Sequence, residues 1–385
     1  MGECKYIRIL QVNAGNKNFG GVSSYLYNVY NHIDKSLVQF DFLTRGKTTY
    51  HNVKNDIEQK GGKVIEFKIT EGGVISSLKF SYRLGKYTVE NQYKIVQINS
   101  GSYFFNLLSV FFLKMRGIPN IIVHSHNIMP HNVPLLKKIM INLTKPLMSF
   151  CATDFFACSL PAGEFMFPKS SIKKLNVIYS GMDVNQFSFS SDDRAVIRKE
   201  LNIGDEYVIG HVGRFVQQKN QKYILNVFKT VLQKNENAIL VFVGEGEMLE
   251  EIRKEADSLN ISEKIIFLGL RNDVSKIYSA FDCFVFPSLY EGLGMALVEA
   301  QISGLPCIAS TKVPLDTKIT DNVEYKEIEQ SNIEDWATTI SHFRAIKSVR
   351  KSYVQEAVKK GFDIKDISKT MQDFYTKKAS EGKTK

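Results

Sequence analysis

Apolar residues along this chain fall into two alternating patterns: short uninterrupted runs, and longer stretches in which they recur every three or four positions. The runs predict strands buried on both faces, and the stretches predict amphipathic helices. In the first half, strands are expected at 6–12, 40–45, 63–67, 94–99, 120–125 and 153–159, with helices at 22–33, 76–90, 102–116 and 134–149. A second series begins after residue 200. Its strands are expected at 207–213, 238–244, 265–269, 283–288 and 306–310, and its helices at 219–234, 246–259, 272–280, 293–303 and 333–345. Alternation of this kind is α/β folding on parallel sheets. Each series opens with a strand and a Gly-rich turn, which predicts two Rossmann-like domains over 1–185 and 186–362. The joint is expected within 177–194, where Ser180-Gly181 and a polar stretch precede a new helix, and a helical tail is expected over 363–380.

A chain of 385 residues, 44% hydrophobic and 23% charged, is long enough for two domains with separate cores. The longest apolar stretch, Tyr103 to Leu113, is about half of the ~20 residues that cross a bilayer. The amino terminus runs almost directly into a strand and shows no signal-peptide pattern, and Tyr6 stands where a myristoylation site needs Ser or Thr. Five cysteines (Cys4, Cys151, Cys158, Cys283 and Cys307) form no CxxC pair and read as reduced thiols of a cytosolic protein. The net charge of +10 is uneven, with 22 Lys and Arg against 11 Asp and Glu in residues 1–185. Five bases and no acid lie among apolar residues between 101 and 150. That pattern suits peripheral contact with an anionic membrane face or a lipid-linked anionic substrate as well as it suits solvated lysines over buried helices. No nucleic-acid module accompanies it.

The chemistry concentrates after strand ends. Arg214 and Lys219 follow the strand ending at Gly213, where open α/β sheets bind ligands, and two cations there fit a phosphate pair. Between Glu291 and Glu299 the chain reads EGLGMALVE, a Gly-containing turn opening a helix. Its free N–H groups suit an anion, with one carboxylate on either side. Glu299 then lies roughly 6–9 Å along the helix from the turn. Gly20-Gly21 precede the first helix and allow close backbone approach. His124 and His126 sit at a strand end on one face, and His126 is the candidate for a substrate hydroxyl. The Gly244/Gly246 stretch resembles a dinucleotide fingerprint but has Leu249 at the third glycine position. No P-loop motif and no D-x-D pair occurs, so neither a nucleotidase nor a metal-dependent transferase is expected.

Taken in order, GG (20–21), HSHN (124–127), VIYSGMDVNQF (177–187), GRFVQQKN (213–220), VFVGEGEM (241–248), FLGLRNDV (267–274) and EGLGMALVEA (291–300) resemble retaining glycosyltransferases of family 4 with the GT-B fold. HSHN and VPLDTKIT (313–320) look most like the branch that builds bacterial capsular and exopolysaccharides. The resemblance implies two Rossmann-like domains facing across a cleft, with the final helix returning to the first. It implies no cofactor and no metal, only a nucleotide-sugar donor, UDP-linked on family frequency. The acceptor would be a saccharide, lipid-linked, met at the inner face of the membrane. Arg214 and Lys219 would hold the donor diphosphate, and Glu291 the sugar hydroxyls. The backbone of Gly292, Leu293, Gly294 and Met295 would touch sugar and phosphate. Glu299 would take the ribose, Leu270 and Arg271 the base, and His126 the donor sugar, while Gly20 and Gly21 would line the cleft from the other side. Rival expectations are a nucleotide-sugar epimerase on the same scaffold and a non-catalytic membrane-associated binding subunit.

Overall fold

The computed structural model describes residues 6–13, 20–45, 50–69, 73–129, 133–234, 237–345 and 350–381. The chain divides into two compact units, Met1–Met182 with Gly361–Lys385, and Asp183–Lys360. In the first, β1 (Ile7–Asn13), β2 (Val38–Thr44), β3 (Lys63–Glu66), β4 (Ile95–Ile98), β5 (Asn120–Ser125), β6 (Asp154–Ala157) and β7 (Leu175–Val177) form one parallel sheet. Its order is β3-β2-β1-β4-β5-β6-β7. The helices are α1 (Gly21–His32), α2 (Lys54–Gln59), α3 (Gly73–Glu90), α4 (Tyr103–Met115), α5 (Leu135–Cys151), α6 (Leu160–Met166) and α7 (Lys169–Ile172).

Alternate residues of each strand feed cores on opposite faces of this sheet, as a doubly covered parallel sheet requires. Ile9 and Ile95 pack with Tyr30 and Phe40, while Leu10, Val12, Val96 and Ile98 pack with Phe80 and Val110. Strand order reverses between β1 and β4, so the carboxyl ends of these two strands open the crevice where such sheets take ligands.

The second unit repeats the plan. Strands β8 (Tyr207–Val212), β9 (Ala238–Val243), β10 (Ile265–Phe267), β11 (Cys283–Phe286), β12 (Cys307–Ser310) and β13 (Val323–Lys326) lie in the order β10-β9-β8-β11-β12-β13, all parallel. Its switch point falls between β8 and β11. Helices α8 (Ser191–Glu200), α9 (Gln221–Lys234), α10 (Leu249–Ser258), α11 (Val274–Ala280), α12 (Met295–Ile302), α13 (Ile333–Ala345) and α14 (Val354–Lys359) cover the faces. Cys151, Cys158, Cys283 and Cys307 are free and buried, and Cys4 lies outside the described residues.

The last helix, α15 (Ile364–Glu381), belongs to the first unit. Ile364, Ile367, Met371 and Tyr375 enter the core that holds Tyr25, Phe40 and Phe156. Burying Met371 and Tyr375 fully contributes about 1.5–3 kcal/mol each. Where α15 begins, Met182 N–H donates to Phe362 (3.0 Å) and Ile364 N–H donates to Met182 (2.9 Å). A Cβ on Gly181 would stand 2.6 Å from Ile367 Cδ1, so glycine lets the two segments meet.

The division of the chain falls at Met182/Asp183 and Lys360/Gly361, a few residues before the expected 185/186 and 362/363. The turn Val184–Phe187 packs against α11, α12 and α14, which draws it into the second unit. Five expected helix starts also move by two or three residues, those of α3, α9, α10, α11 and α12. A left-handed Asn220 (φ 55) separates α9 from a single 3-10 turn over Gln217–Lys219. Residues 244–246 are held against the loop after β8, and α10 starts at Leu249.

Candidate active site

In the second unit the loops after β8 and β11 leave the switch point and are stitched to each other. Leu289 N–H donates to the Gln218 carbonyl (2.8 Å), Gln218 Nε2 to the Tyr290 carbonyl (2.8 Å), and Asn220 Nδ2 to the Pro287 carbonyl (3.3 Å). This stitching brings Lys219 Nζ to 2.6 Å from Glu291 Oε1, while Gln218 Nε2 donates to Glu291 Oε2 at 3.3 Å. Glu291 is 6% exposed, and Lys219 also lies over the Phe286 ring, 4.7 Å from its centroid. The pair is thus a largely desolvated charge couple whose carboxylate oxygens are both engaged.

Arg214 sits on the same loop and is exposed. Among the described residues its guanidinium has no hydrogen-bond or ion-pair partner, so the loop carries an open cation as well as the one paired with Glu291. The loop beneath it is fixed: Phe215 is buried, its N–H donates to the Glu245 carbonyl (3.0 Å), and Gln221 Nε2 donates to the Arg214 carbonyl (2.9 Å). Gly244 (φ +133) and Gly246 allow this contact, since a Cβ on either would stand 2.2 or 2.3 Å from the carbonyl oxygens of Gly213 or Phe215. The stretch that looks like a dinucleotide fingerprint therefore serves to seat the Arg214 loop.

Gly294 (φ +100) opens α12, with Leu293 buried before it and Met295 as first helical residue. Gly292 and Met295 are half-buried. Glu299, four residues on and about 6 Å along the axis, accepts 2.8 Å from Tyr278 Oη of α11. Burial raises the Glu299 carboxyl above its ordinary range, against the Tyr278 hydrogen bond and the charge of Lys219, which both lower it. Lys219 thus acts electrostatically on both acids. Leu270 is 73% exposed. On the loop expected to hold the base, the Arg271 guanidinium is engaged by Glu200 (2.5 and 3.2 Å) and Asp273 (2.8 and 2.8 Å), which organise the loop after β10.

In the first unit Gly20 caps α1 and Gly21 begins it, with nothing among the described residues within 4 Å of a Cβ built at Gly21. Residues 14–19 of that loop lie outside the described residues. His124 and His126 do share a face, their rings 4.0 Å apart. His126 Nε2 lies 3.5 Å from Asn99 Oδ1. Asn99 belongs to a buried polar network that the sequence reading missed: Asn99 Nδ2 donates to Gln11 (2.9 Å), Gln97 Nε2 to Asn99 Oδ1 (2.9 Å), and Tyr375 Oη to Gln97 Oε1 (2.7 Å). The signal was present, because Gln11, Asn13, Gln97 and Asn99 interrupt apolar strands at alternate positions near their carboxyl ends. Tyr278 carries no such mark.

Burial pushes His126 down to about 3 and His211 down to about 4, and holds His124 well below its usual value. His126 is therefore a neutral hydrogen-bonding group near pH 7. Each depressed value contributes stability that is fully present above about pH 6.5, where the unfolded imidazole is also neutral. That stability is lost as pH falls toward 4 and then 3, at up to about 1.4 kcal/mol per pH unit for each ring. The urea midpoint is expected to fall through that window, and His126→Gln should flatten the decline. An unchanged slope in the variant would remove His126 from this set.

Two Rossmann-like parallel sheets, the second with Lys219 and Glu291 joined beside its switch point, make an α/β architecture of the kind that takes ligands at the carboxyl ends of its strands. Residues 193–360 match the family model described as glycosyl transferases group 1. Over 365 residues the chain is 29% identical to EpsF of Bacillus subtilis (strain 168), a protein provisionally named as a glycosyltransferase, covering 92% of this chain and 93% of that one. Over 208 residues it is 28% identical to the UDP-Gal:alpha-D-GlcNAc-diphosphoundecaprenol alpha-1,3-galactosyltransferase of Escherichia coli, covering 52% of this chain and 54% of the other. The crystal structure of Anabaena HepE in complex with UDP superposes with a TM-score of 0.73 at 16% identity, covering 96% of this chain and 100% of that chain. The family-model match lies within the second unit, and the whole chain is similar in sequence to a protein named as a glycosyltransferase and shares the fold of HepE.

Proposed function

We propose that this protein is a retaining hexosyltransferase. It moves a hexosyl or N-acetylhexosaminyl unit from a nucleotide-sugar, UDP-linked, to a hydroxyl of a lipid-linked saccharide at the cytosolic face of the membrane. The setting is capsular, exopolysaccharide or related surface-glycan synthesis, and no metal or cofactor takes part. The observation that carries this reading is the Lys219–Glu291 couple, formed between the loops after β8 and β11, with Arg214 open on the first of these loops. Two preorganised cations suit the charge that develops on a departing diphosphate. Glu291, with both oxygens engaged, suits a hydrogen-bonding grip on sugar hydroxyls and makes a poor nucleophile. Glu299, held by Tyr278, suits the ribose. With Glu291 and Glu299 each held by other side chains, neither is placed as a nucleophile, and retention follows from same-face transfer, the leaving diphosphate oxygen taking the proton of the incoming hydroxyl. Two similar proteins agree in kind: the Escherichia coli transferase is named for UDP-galactose and a diphosphoundecaprenol acceptor, and HepE was solved with UDP.

A screen of UDP- and GDP-sugars for thermal stabilisation is the direct test. The true donor at 100 times its dissociation constant should add about 2.7 kcal/mol. Its transfer product should keep the donor's anomeric configuration by NMR. An inverted product would overturn the retaining reading. Release of free sugar or an altered nucleotide-sugar without acceptor would favour an epimerase, and lack of affinity for any nucleotide-sugar would favour a binding subunit.

A further inference from the structure

Helix α5 carries two apolar faces where a soluble helix needs one. The inner face is narrow: Ile141, Met148 and Cys151 are buried. The outer face is wide and continuous, with Leu136, Ile139, Met140, Leu143, Leu147 and Phe150 recurring at helical spacing, all exposed. Leu136, Leu143 and Phe150 are 71%, 75% and 72% exposed, so this is no partly covered seam. The neighbouring helices extend it. Helix α3 exposes Val74, Ile75 and Leu78, α4 exposes Met115, and α4 packs against both α3 and α5.

The charge around this face has one sign. Helices α3, α4 and α5 together hold seven Lys and Arg and a single acid, Glu90. Lys137 and Lys138 are exposed on α5 itself, and Lys114 Nζ stands 5.7 Å from the Phe150 ring centroid. An apolar helix face flanked by lysines, whose stems can lie along apolar surface while their ammonium groups reach outward, is the build of a helix lying in a lipid interface. At 17 residues α5 is about 25 Å long, and no described helix is long and apolar enough to cross a membrane. A lying pose is the one its chemistry allows.

We propose that the outer face of α5, flanked by Lys137 and Lys138 and extended by α3 and α4, docks this protein onto an anionic lipid bilayer, with Leu143 and Phe150 entering the acyl boundary. The exposed groups of the stripe are hydrocarbon and thioether, which a fluid acyl layer satisfies without directional partners, and the surrounding cations complement anionic headgroups. This rests on the membrane setting proposed above and names its surface. Its test reads lipid binding while donor binding is followed separately, so either reading can fail alone.

The full chain is to be floated with vesicles of phosphatidylcholine alone or with added phosphatidylglycerol. Binding is expected to be at least about 10-fold stronger with phosphatidylglycerol and to weaken with salt. The double substitution Leu143→Glu/Phe150→Glu should reduce it about 10-fold or more at unchanged melting temperature and unchanged donor affinity by calorimetry. Lys137→Gln/Lys138→Gln should cut it about threefold and soften the salt dependence. Leu143→Trp, which perturbs the surface least, should shift its emission to the blue on anionic vesicles and be quenched by brominated lipid. Three results would overturn the proposal: no vesicle binding by the unsubstituted chain, undiminished binding by the glutamate variant, or a dimer that the glutamate variant dissociates without any lipid binding.

Discussion

Lys219→Ala is expected to lower kcat about 10²–10³-fold, the scale of removing one preorganised group from a transition state that gathers charge. The ammonium sits 2.6 Å from Glu291 and also acts on Glu299, so its loss touches both the leaving diphosphate and the carboxylate that would grip the sugar. It also leaves Glu291 largely buried with Gln218 at 3.3 Å as its remaining side-chain partner. A stability loss of about 2–3 kcal/mol should follow, below the range for a fully sealed pair because the Lys219 side chain keeps 16% exposure. The two effects separate in a double-mutant cycle. Adding Glu291→Gln to Lys219→Ala should restore much of the melting temperature and none of the turnover. Arg214→Ala should give the opposite split, slow catalysis with little change in stability, since that side chain has no partner among the described residues. Wild-type turnover in Lys219→Ala would dismiss the diphosphate role.

Gly244→Ala should be among the most damaging single-methyl changes in the second unit. Its φ of +133 is strained for any L side chain, and the new Cβ would lie 2.2 Å from the Gly213 carbonyl oxygen and 2.9 Å from its carbon. Both opposing atoms are backbone, so no rotamer change relieves the clash. A loss of about 3 kcal/mol is expected in the urea midpoint, together with lower activity as the Arg214 loop is displaced. Gly21→Ala is the matched control. Among the described residues nothing lies within 4 Å of the added carbon, so stability should hold within about 0.5 kcal/mol and any fall in donor affinity reports on ligand approach alone. If Gly244→Ala melted with the parent protein, the packing account of this loop would fail.

The sheets were legible because parallel strands covered on both faces are unbroken apolar runs, and β1, β5, β8 and β9 stand within about a residue of where those runs place them. The edge strands β7 (LNV) and β13 (VEYK) were not, being too short and too polar to differ from loop. Short helices such as α2 and α14 escaped for the same reason, having fewer than two turns in which a period can show. Residue types at the site were readable from their position after strand ends, but their pairing was not. Lys219 and Glu291 are 72 positions apart, and only the β8/β11 adjacency makes them neighbours. Arg271 shows the same limit: nothing in its local sequence tells that Glu200, 71 positions earlier, engages its guanidinium.

Helix α15 sets an order of events on the ribosome. The first unit draws Met371 and Tyr375 into its core, yet the whole second unit is translated between Met182 and that helix. At about 5–20 residues per second, the roughly two hundred intervening residues take on the order of 10–40 s to synthesise. Throughout that interval the emerging polypeptide holds Tyr25, Phe40 and Phe156 beneath an unroofed hydrophobic surface, and the half begun first is the half completed last.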